Sequence, residues 1–363
     1  MVDHLPAMPR KGRGAVANAT GRYESEQRYA VDDGWQQPGD NTLPVLRTTV
    51  GIDAAKSIIS RNKSPDLPFD QSINPYKGCE HGCIYCYARP THAYLGLSPG
   101  LDFETQLFAK PNAPELLKKE LRKPSYKCKS IMLGANTDPY QPIERDHKIT
   151  RELLKVLSDF SHPVTITTKS DLVLRDLDIL VDMAARNLVS VAVSVTTLDG
   201  KLARAMEPRA PRPDKRLAAL ERLNANGIPT TVLASPMIPF LNDWELERIL
   251  EAASKVGAQA AHYILHRLPL ELREMFAEWL ETHAPGKANH VLNQLRESRN
   301  GTLYISDFAT RMRGTGTHAD LLAKRFRLAS KRYGLNSAKD GEYDLDTSLF
   351  ILPPEAGDQL ELL

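Results

Sequence analysis

Between residues 70 and 270, short apolar runs alternate with stretches whose apolar positions recur every three to four residues. The runs lie at 130–133, 164–167, 189–195, 228–233 and 260–265 and are rich in Val, Ile, Leu and Thr. Runs of this length and composition predict strands of a parallel sheet buried on both faces. The segments between them, 150–160, 172–186, 214–226 and 243–256, carry helical spacing. Asn224-Ala225-Asn226-Gly227-Ile228-Pro229 reads as a helix stop followed by a strand start. Such alternation predicts an α/β layer fold or barrel. A further strand leading into Cys79 brings the count to about six units, short of the eight of a full barrel.

Beyond residue 268 the strand runs stop. Segments 268–282, 287–297 and 318–333 fit helices, with Gly314-Thr315-Gly316 as a turn and a polar tail from Asn336. Residues 1–65 are rich in Gly, Asn, Asp, Arg and Gln and show little periodicity. Three regions follow: an irregular N-terminal arm (1–65), an α/β core (66–270) and a helical C-terminal extension (271–363).

Composition narrows the function only a little. The 363-residue chain is 42% hydrophobic and 25% charged, an ordinary globular balance, and its formal charge of +2 gives no global argument for binding nucleic acid. The local run Arg10-Lys11-Gly12-Arg13 suits either phosphate contact or a solvated, flexible terminus. No apolar stretch approaches the roughly 18 residues that span a bilayer, and the start of the chain lacks a signal-peptide pattern, so no membrane is expected and the cytoplasm is the expected location.

The cysteines change the picture. Three of the four fall within eight positions, in Gly78-Cys79-Glu80-His81-Gly82-Cys83-Ile84-Tyr85-Cys86, which does not resemble a scattered disulfide framework. Thiolates in a C-x3-C-x2-C loop suit an iron–sulfur cluster, with Gly78 and Gly82 giving the backbone its freedom. Three protein ligands on a four-iron cluster leave one iron open to a small molecule. The competing readings are a structural zinc site, which wants a fourth ligand such as His81 or His92 but finds no second cysteine pair, and plain buried thiols.

This spacing, with an aromatic residue before the last cysteine, resembles the radical S-adenosylmethionine (SAM) superfamily. The wider run Asn74 to Arg89, and the run Asn136-Thr137-Asp138-Pro139-Tyr140-Gln141-Pro142-Ile143-Glu144, resemble its spore photoproduct lyase-like branch over residues 70–270. The flanks Ser64-Pro65-Asp66-Leu67-Pro68-Phe69-Asp70 and Arg89-Pro90-Thr91-His92 resemble a bacterial subgroup of that branch, which names no substrate. The resemblance implies a partial (β/α)6 barrel, a [4Fe–4S] cluster on Cys79, Cys83 and Cys86, SAM as cofactor, and an electron donor such as flavodoxin or ferredoxin. It assigns SAM contacts to Asn136, Thr137 and Asp138 after the second strand and to Lys169 after the third, and places a Glu-Pro segment at Glu207-Pro208-Arg209. Read from the residues themselves, Arg209 offers a planar fork for a carboxylate, the Ser194 hydroxyl in the fourth strand suits the ribose, and Tyr85 between two cysteines packs beside the cluster and adenine.

Each of these residues has a plainer reading: an Asp-Pro turn, a solvated lysine, a strand serine, a loop salt bridge, a core tyrosine. The lyases use a cysteine just after the second strand as hydrogen donor. Here that stretch is Leu133-Gly134-Ala135-Asn136, while Cys128 precedes the strand, so dimer repair by that route is not expected. Tyr87, Arg89, His92, Tyr140, His266 and Arg267 are candidates to face a substrate, and arginines among aromatics suit a phosphate or base. His262 and His266 would ligate metal only from a helix, and their segment reads as a strand. Three functions remain open: a radical SAM enzyme of undefined substrate, nucleic-acid repair or modification by such an enzyme, and a non-catalytic iron–sulfur sensor or electron carrier.

Overall fold

The computed structural model describes residues 8–25, 27, 46–337 and 344–354. Its strands are β1 (Thr49–Ile52), β2 (Ile59–Arg61), β3 (Gln71–Ile73), β4 (Tyr76–Lys77), β5 (Gln106–Ala109), β6 (Ile131–Leu133), β7 (Val164–Thr168), β8 (Val189–Ser194), β9 (Thr230–Met237) and β10 (Ala260–Leu265). Seven of them form one sheet in the order β10-β9-β8-β7-β6-β3-β2. The six from β10 to β3 are parallel, and β2 closes the edge antiparallel. These are the six parallel strand units expected from the alternation, and the open strand order fits the partial (β/α)6 barrel that the resemblance implies.

The helices fall between the strands as the periodicity indicates. Ile149–Asp159 follows β6, Leu177–Ala185 follows β7, Pro213–Ala225 follows β8 and Leu246–Lys255 follows β9. Val164, Ile166, Val191, Val193 and Val232 are fully buried on one face of the sheet, which is why β-branched residues crowd these strands. After β10 the described chain is helical at Leu272–His283, Pro285–Glu297 and Gly316–Arg332. The first two of these helices pack over the cysteine loop: Leu272, Phe276 and Trp279 share a buried cluster with Ile84, Tyr85 and Met206. Trp279 Nε1 donates to the Ala205 carbonyl at 3.2 Å. Among the described residues no helix is long and apolar enough to cross a membrane.

The N-terminal stretch departs from the expectation of an irregular arm. Two of its segments form strands: β2 joins the main sheet, and β1 joins a small second sheet of order β1-β5-β4. The basic run does not project into solvent at its end either. Arg13 is buried and donates to the carbonyls of Glu104 (2.9 Å) and Leu46 (2.7 Å) and to Thr48 Oγ1 (3.0 Å). Its guanidinium is taken up by the fold and is not left for phosphates.

Beside it, the amides of Gly14 and Ala15 donate to the two Glu104 carboxylate oxygens at 2.9 and 2.8 Å. Gly14 lies so close to the cysteine loop that a Cβ there would stand 1.8 Å from the Gly82 carbonyl oxygen. Gly14→Ala should therefore lift this strap off the loop and destabilise the protein by about 1–3 kcal/mol. Chemical denaturation of the variant beside the parent chain measures this, and an unchanged midpoint would contradict the tight approach.

Candidate active site

The carboxyl ends of β6, β7, β8, β9 and β10 line one cavity, the usual place for a site in such folds. The loop 78–89 forms one wall. Its three cysteines are free thiols that line the cavity. Cys79 N–H donates to the Phe103 carbonyl at 2.9 Å and ties the loop to that segment, while Gly82 N–H donates to the Cys79 carbonyl and Cys86 N–H to the Cys83 carbonyl, both at 3.2 Å, winding the loop into successive tight turns. Gly82 has φ +67°, and a Cβ there would meet Glu104 Oε2 at 2.6 Å, so both conformation and space require glycine.

Buried polar groups fix this loop from behind. Arg89 donates to the carbonyls of Cys83 (2.8 Å), Gly82 (3.0 Å), Pro99 (3.1 Å) and Gly100 (3.0 Å), and it pairs with Glu104; both side chains are 0% exposed. Gln141 accepts from Glu80 N–H at 2.8 Å and donates to the Gly78 carbonyl at 3.2 Å. The Tyr85 hydroxyl donates to Glu207, which also accepts from Thr196 at 2.8 Å and pairs with buried Arg216. Tyr85 thus has its ring on the cavity wall and its hydroxyl tied to the scaffold.

Burial drives the Cys79 thiol well above its usual range, with Asp138, Cys83 and Cys86 adding to it; burial also raises Cys83, opposed by Lys169. Such thiols become thiolates when they bind a cationic centre. The donor set suits a cluster better than a single zinc. Among the described residues no three His, Cys, Asp or Glu side chains gather where one ion would sit. His81, the nearest candidate for a fourth ligand, instead lies 3.3 Å from Asp138.

The other wall comes from strand ends. Asn136, Thr137 and Asp138 follow β6 and line the cavity. Their backbone is set by Asn74, whose Oδ1 accepts from Asn136 N–H (2.8 Å) and Thr137 N–H (3.2 Å). Thr137 Oγ1 donates to the Tyr76 carbonyl at 2.9 Å. Asp138 accepts from Thr168 Oγ1 and from Lys169 N–H, both at 2.7 Å. Burial alone would raise its carboxyl, but His81, Thr168 and the Lys169 amide hold it down at about 2. Asp138 is therefore largely committed to tying β6 to β7, and the Asn136 side chain is the freer of the three.

Lys169 and Ser194 also line the cavity. Lys169 Nζ sits 5.7 Å from the Tyr85 ring centroid and makes no ion pair among the described residues. Arg209 lies elsewhere. It pairs with Glu80 at 2.9 Å and lines an outer cleft with Arg145 and Lys215, on the far side of His81.

The candidates for facing a substrate divide in the same way. Arg89 is a brace, Tyr140 donates to buried Asp176 at 3.1 Å, and His92 packs edge-on to Phe103 at 5.6 Å away from the cavity. Tyr87, His266 and Arg267 reach the cavity, joined by Ser235 and Pro236 of β9. Cys128 does not line it. Ser235, Gln141 and the Glu207 brace carried no sequence signal beyond lying in strand or motif segments.

Comparison with known proteins agrees with this geometry. The family model described as the Radical SAM superfamily matches residues 73–253. An uncharacterized protein of Mycobacterium tuberculosis is 38% identical over 62% of this chain and 67% of its own length. An uncharacterized protein of Methanocaldococcus jannaschii is 32% identical over 66% of this chain and 85% of its own. Among solved structures, a spore photoproduct lyase variant with bound AdoMet and dinucleoside spore photoproduct superposes with a TM-score of 0.52 at 16% identity, covering 79% of this chain and 80% of that one; at that identity the likeness is one of fold.

Proposed function

The chain belongs to the radical SAM superfamily, and from that premise we propose that it holds a [4Fe–4S] cluster on Cys79, Cys83 and Cys86 and cleaves SAM reductively in the cavity beside them. The observation that carries this reading is the meeting, in one cavity, of three free thiols, two of them buried, with the cation of Lys169, unpaired among the described residues, and the strand-end groups Asn136 and Ser194. When bound, such a cluster with one iron free of protein ligands supplies the electron that breaks the C5′–S bond of SAM and yields a 5′-deoxyadenosyl radical.

The protein's own part is placement and exclusion of water. Lys169 and Asn136 line the cavity; the Lys169 ammonium would pair with the SAM carboxylate, and the Asn136 amide oxygen would accept from the SAM ammonium. Ser194 is 3% exposed and has a hydroxyl with no protein partner among the described residues, suited to a ribose oxygen. The Tyr85 ring, held by Glu207 and Thr196, provides an apolar wall. Lys169→Ala should weaken SAM binding about tenfold to a hundredfold, the value of one charge-assisted contact. Equilibrium dialysis on cluster-loaded protein reads this, and unchanged affinity would remove Lys169 from the SAM site.

Anaerobic reconstitution, reduction and addition of SAM should release 5′-deoxyadenosine and methionine. An intact cluster with SAM bound and no cleavage would defeat the proposal. A sensor or electron carrier has no use for the unpaired groups across the cavity, which weighs against that alternative. For the reductant we propose a small acidic donor such as flavodoxin or ferredoxin. The outer cleft bearing Arg145, Arg209 and Lys215 supports it, because His81 of the cysteine loop borders both this cleft and the cavity.

Nucleic-acid repair or modification is the second reading. It draws on the fold shared with a lyase whose structure holds a dinucleoside photoproduct. Gly134 and Ala135 line the cavity where the lyases place their donor cysteine, so a different hydrogen donor would be needed.

A further inference from the structure

We infer that the substrate carries a carboxylate or phosphate group, held at the end of β10 by the Arg267 guanidinium with His266 and Ser235 as hydrogen-bonding neighbours. This rests on reading the cavity as the site of a radical SAM enzyme, and it adds a substrate class that the family does not specify.

The argument begins with the cations of the cavity. Lys169 and Arg267 both line it, and neither forms an ion pair among the described residues. They stand at the ends of β7 and β10, three strands apart in the sheet. At the usual strand spacing that is about 14 Å along the sheet. The single carboxylate of SAM cannot serve both. Lys169 Nζ lies 5.7 Å from the ring centroid of Tyr85, which stands between Cys83 and Cys86 in the loop, so Lys169 is taken for the cofactor and Arg267 is left for the second molecule.

The arginines around Arg267 are already engaged. Arg311 makes two contacts with Asp66, at 2.5 and 2.6 Å. Arg299 donates to the carbonyls of Leu265 (3.1 Å), His266 (2.8 Å) and Arg311 (3.1 Å), which fixes the end of β10. Among the described residues Arg267 meets the face of Tyr87, 4.8 Å from its ring centroid, with Tyr304 and Asp66 acting on it electrostatically but forming no ion pair with it, and the Tyr87 hydroxyl is itself held by the Ala135 carbonyl. The guanidinium is thus stacked and positioned while its fork of donors finds no acceptor, an arrangement suited to two-point binding of a planar or tetrahedral oxyanion.

Two more groups at this end of the cavity lack partners. His266 is 1% exposed, and its Nε2 is buried without a hydrogen bond; Ser235 Oγ is in the same condition. Burial and the neighbouring Arg299 and Arg267 keep the imidazole neutral down to about 3, so it offers one donor and one acceptor. Unpaired polar groups inside a protein are costly, and a ligand that engages Arg267, His266 and Ser235 together would offset that cost.

The test follows the melting temperature of the protein, with and without its cluster, in sodium phosphate, sodium acetate and sodium chloride at equal ionic strength and pH. Phosphate or acetate should raise the melting temperature over chloride in a saturable way, and the stronger of the two identifies the substrate's anion. Arg267→Gln should lower that anion's affinity about tenfold or more, while cluster-loaded R267Q keeps its SAM affinity. Should R267Q not fold in chloride, Arg267→Lys decides. It keeps the charge without the fork and should bind the anion several-fold more weakly.

Three results would overturn the inference: no anion effect in the parent chain, an equal effect in parent and variants, or loss of SAM binding along with anion binding. A parent chain that binds the anion through Arg267 yet takes up neither cluster nor SAM would instead overturn the radical SAM reading and leave the anion site standing.

Discussion

Cys83→Ser protein, reconstituted anaerobically with iron and sulfide, should retain far less than the about four irons per chain of a full cluster, and SAM cleavage should fall below detection. The substitution exchanges one atom at a buried position, so the fold has little reason to fail. The lost sulfur leaves two thiolates, which do not retain the corners of a cubane that three hold. Cys128→Ser is the matched control. Cys128 is half-buried outside the cavity, with its thiol raised to about 11 by burial, and its loss should leave iron content untouched. Iron and sulfide assays with the visible spectrum decide the matter. Full iron content in C83S would remove Cys83 from the ligand set, and loss of iron from C128S would show that the ligands were assigned to the wrong thiols.

Arg89→Ala should destabilise the protein by about 3–5 kcal/mol, because it strands the Glu104 carboxylate in a site with no access to water. The effect should spread beyond the pair. Arg89 holds four backbone carbonyls, two of them inside the cysteine loop, and Glu104 holds the amides of Gly14 and Ala15. Cluster uptake should therefore slow along with the drop in denaturation midpoint. Arg89→Lys should recover little, since a single ammonium cannot reach acceptors spread around a planar fork. A stability loss below about 1 kcal/mol in R89A would mean that the charge pair is not holding the loop.

The physical reasons for what was legible in the sequence differ from element to element. β7 and β8 were plain because Val164, Ile166, Val189, Val191 and Val193 are fully buried on one face while the residues between them are at least half-buried, so β-branched and apolar residues stand close together in the chain. The helices between the strands showed through their spacing. The cysteine loop was legible because its chemistry is local, all three thiols falling on one turn of chain.

The second sheet was not legible. β4 and β5 are two and four residues long and pair across more than thirty positions, so neither carries a period of its own. The support of the loop was hidden for a related reason. Arg89 and Glu104 are ordinary charged residues in sequence, and only the fold removes both from water. Arg209 shows the opposite limit. The Glu-Pro segment and the planar guanidinium suggested the cofactor, but Arg209 pairs with Glu80 and lines the outer cleft. At Tyr87, His266 and Arg267 the sequence supplied the residue types, and the turn of the chain after β10 brought them to one rim.

The strap at residues 13–16 bears on how this protein is cut for study. Trimming to 73–253, the boundaries of the shared family region, would keep every thiol and every strand end proposed for the cofactor. It would also delete the peptide that satisfies Glu104 and the aromatic helix that covers Tyr85. A fragment of that kind would show the right motif and fail to load iron, and its inactivity would say nothing about the chemistry of the whole chain.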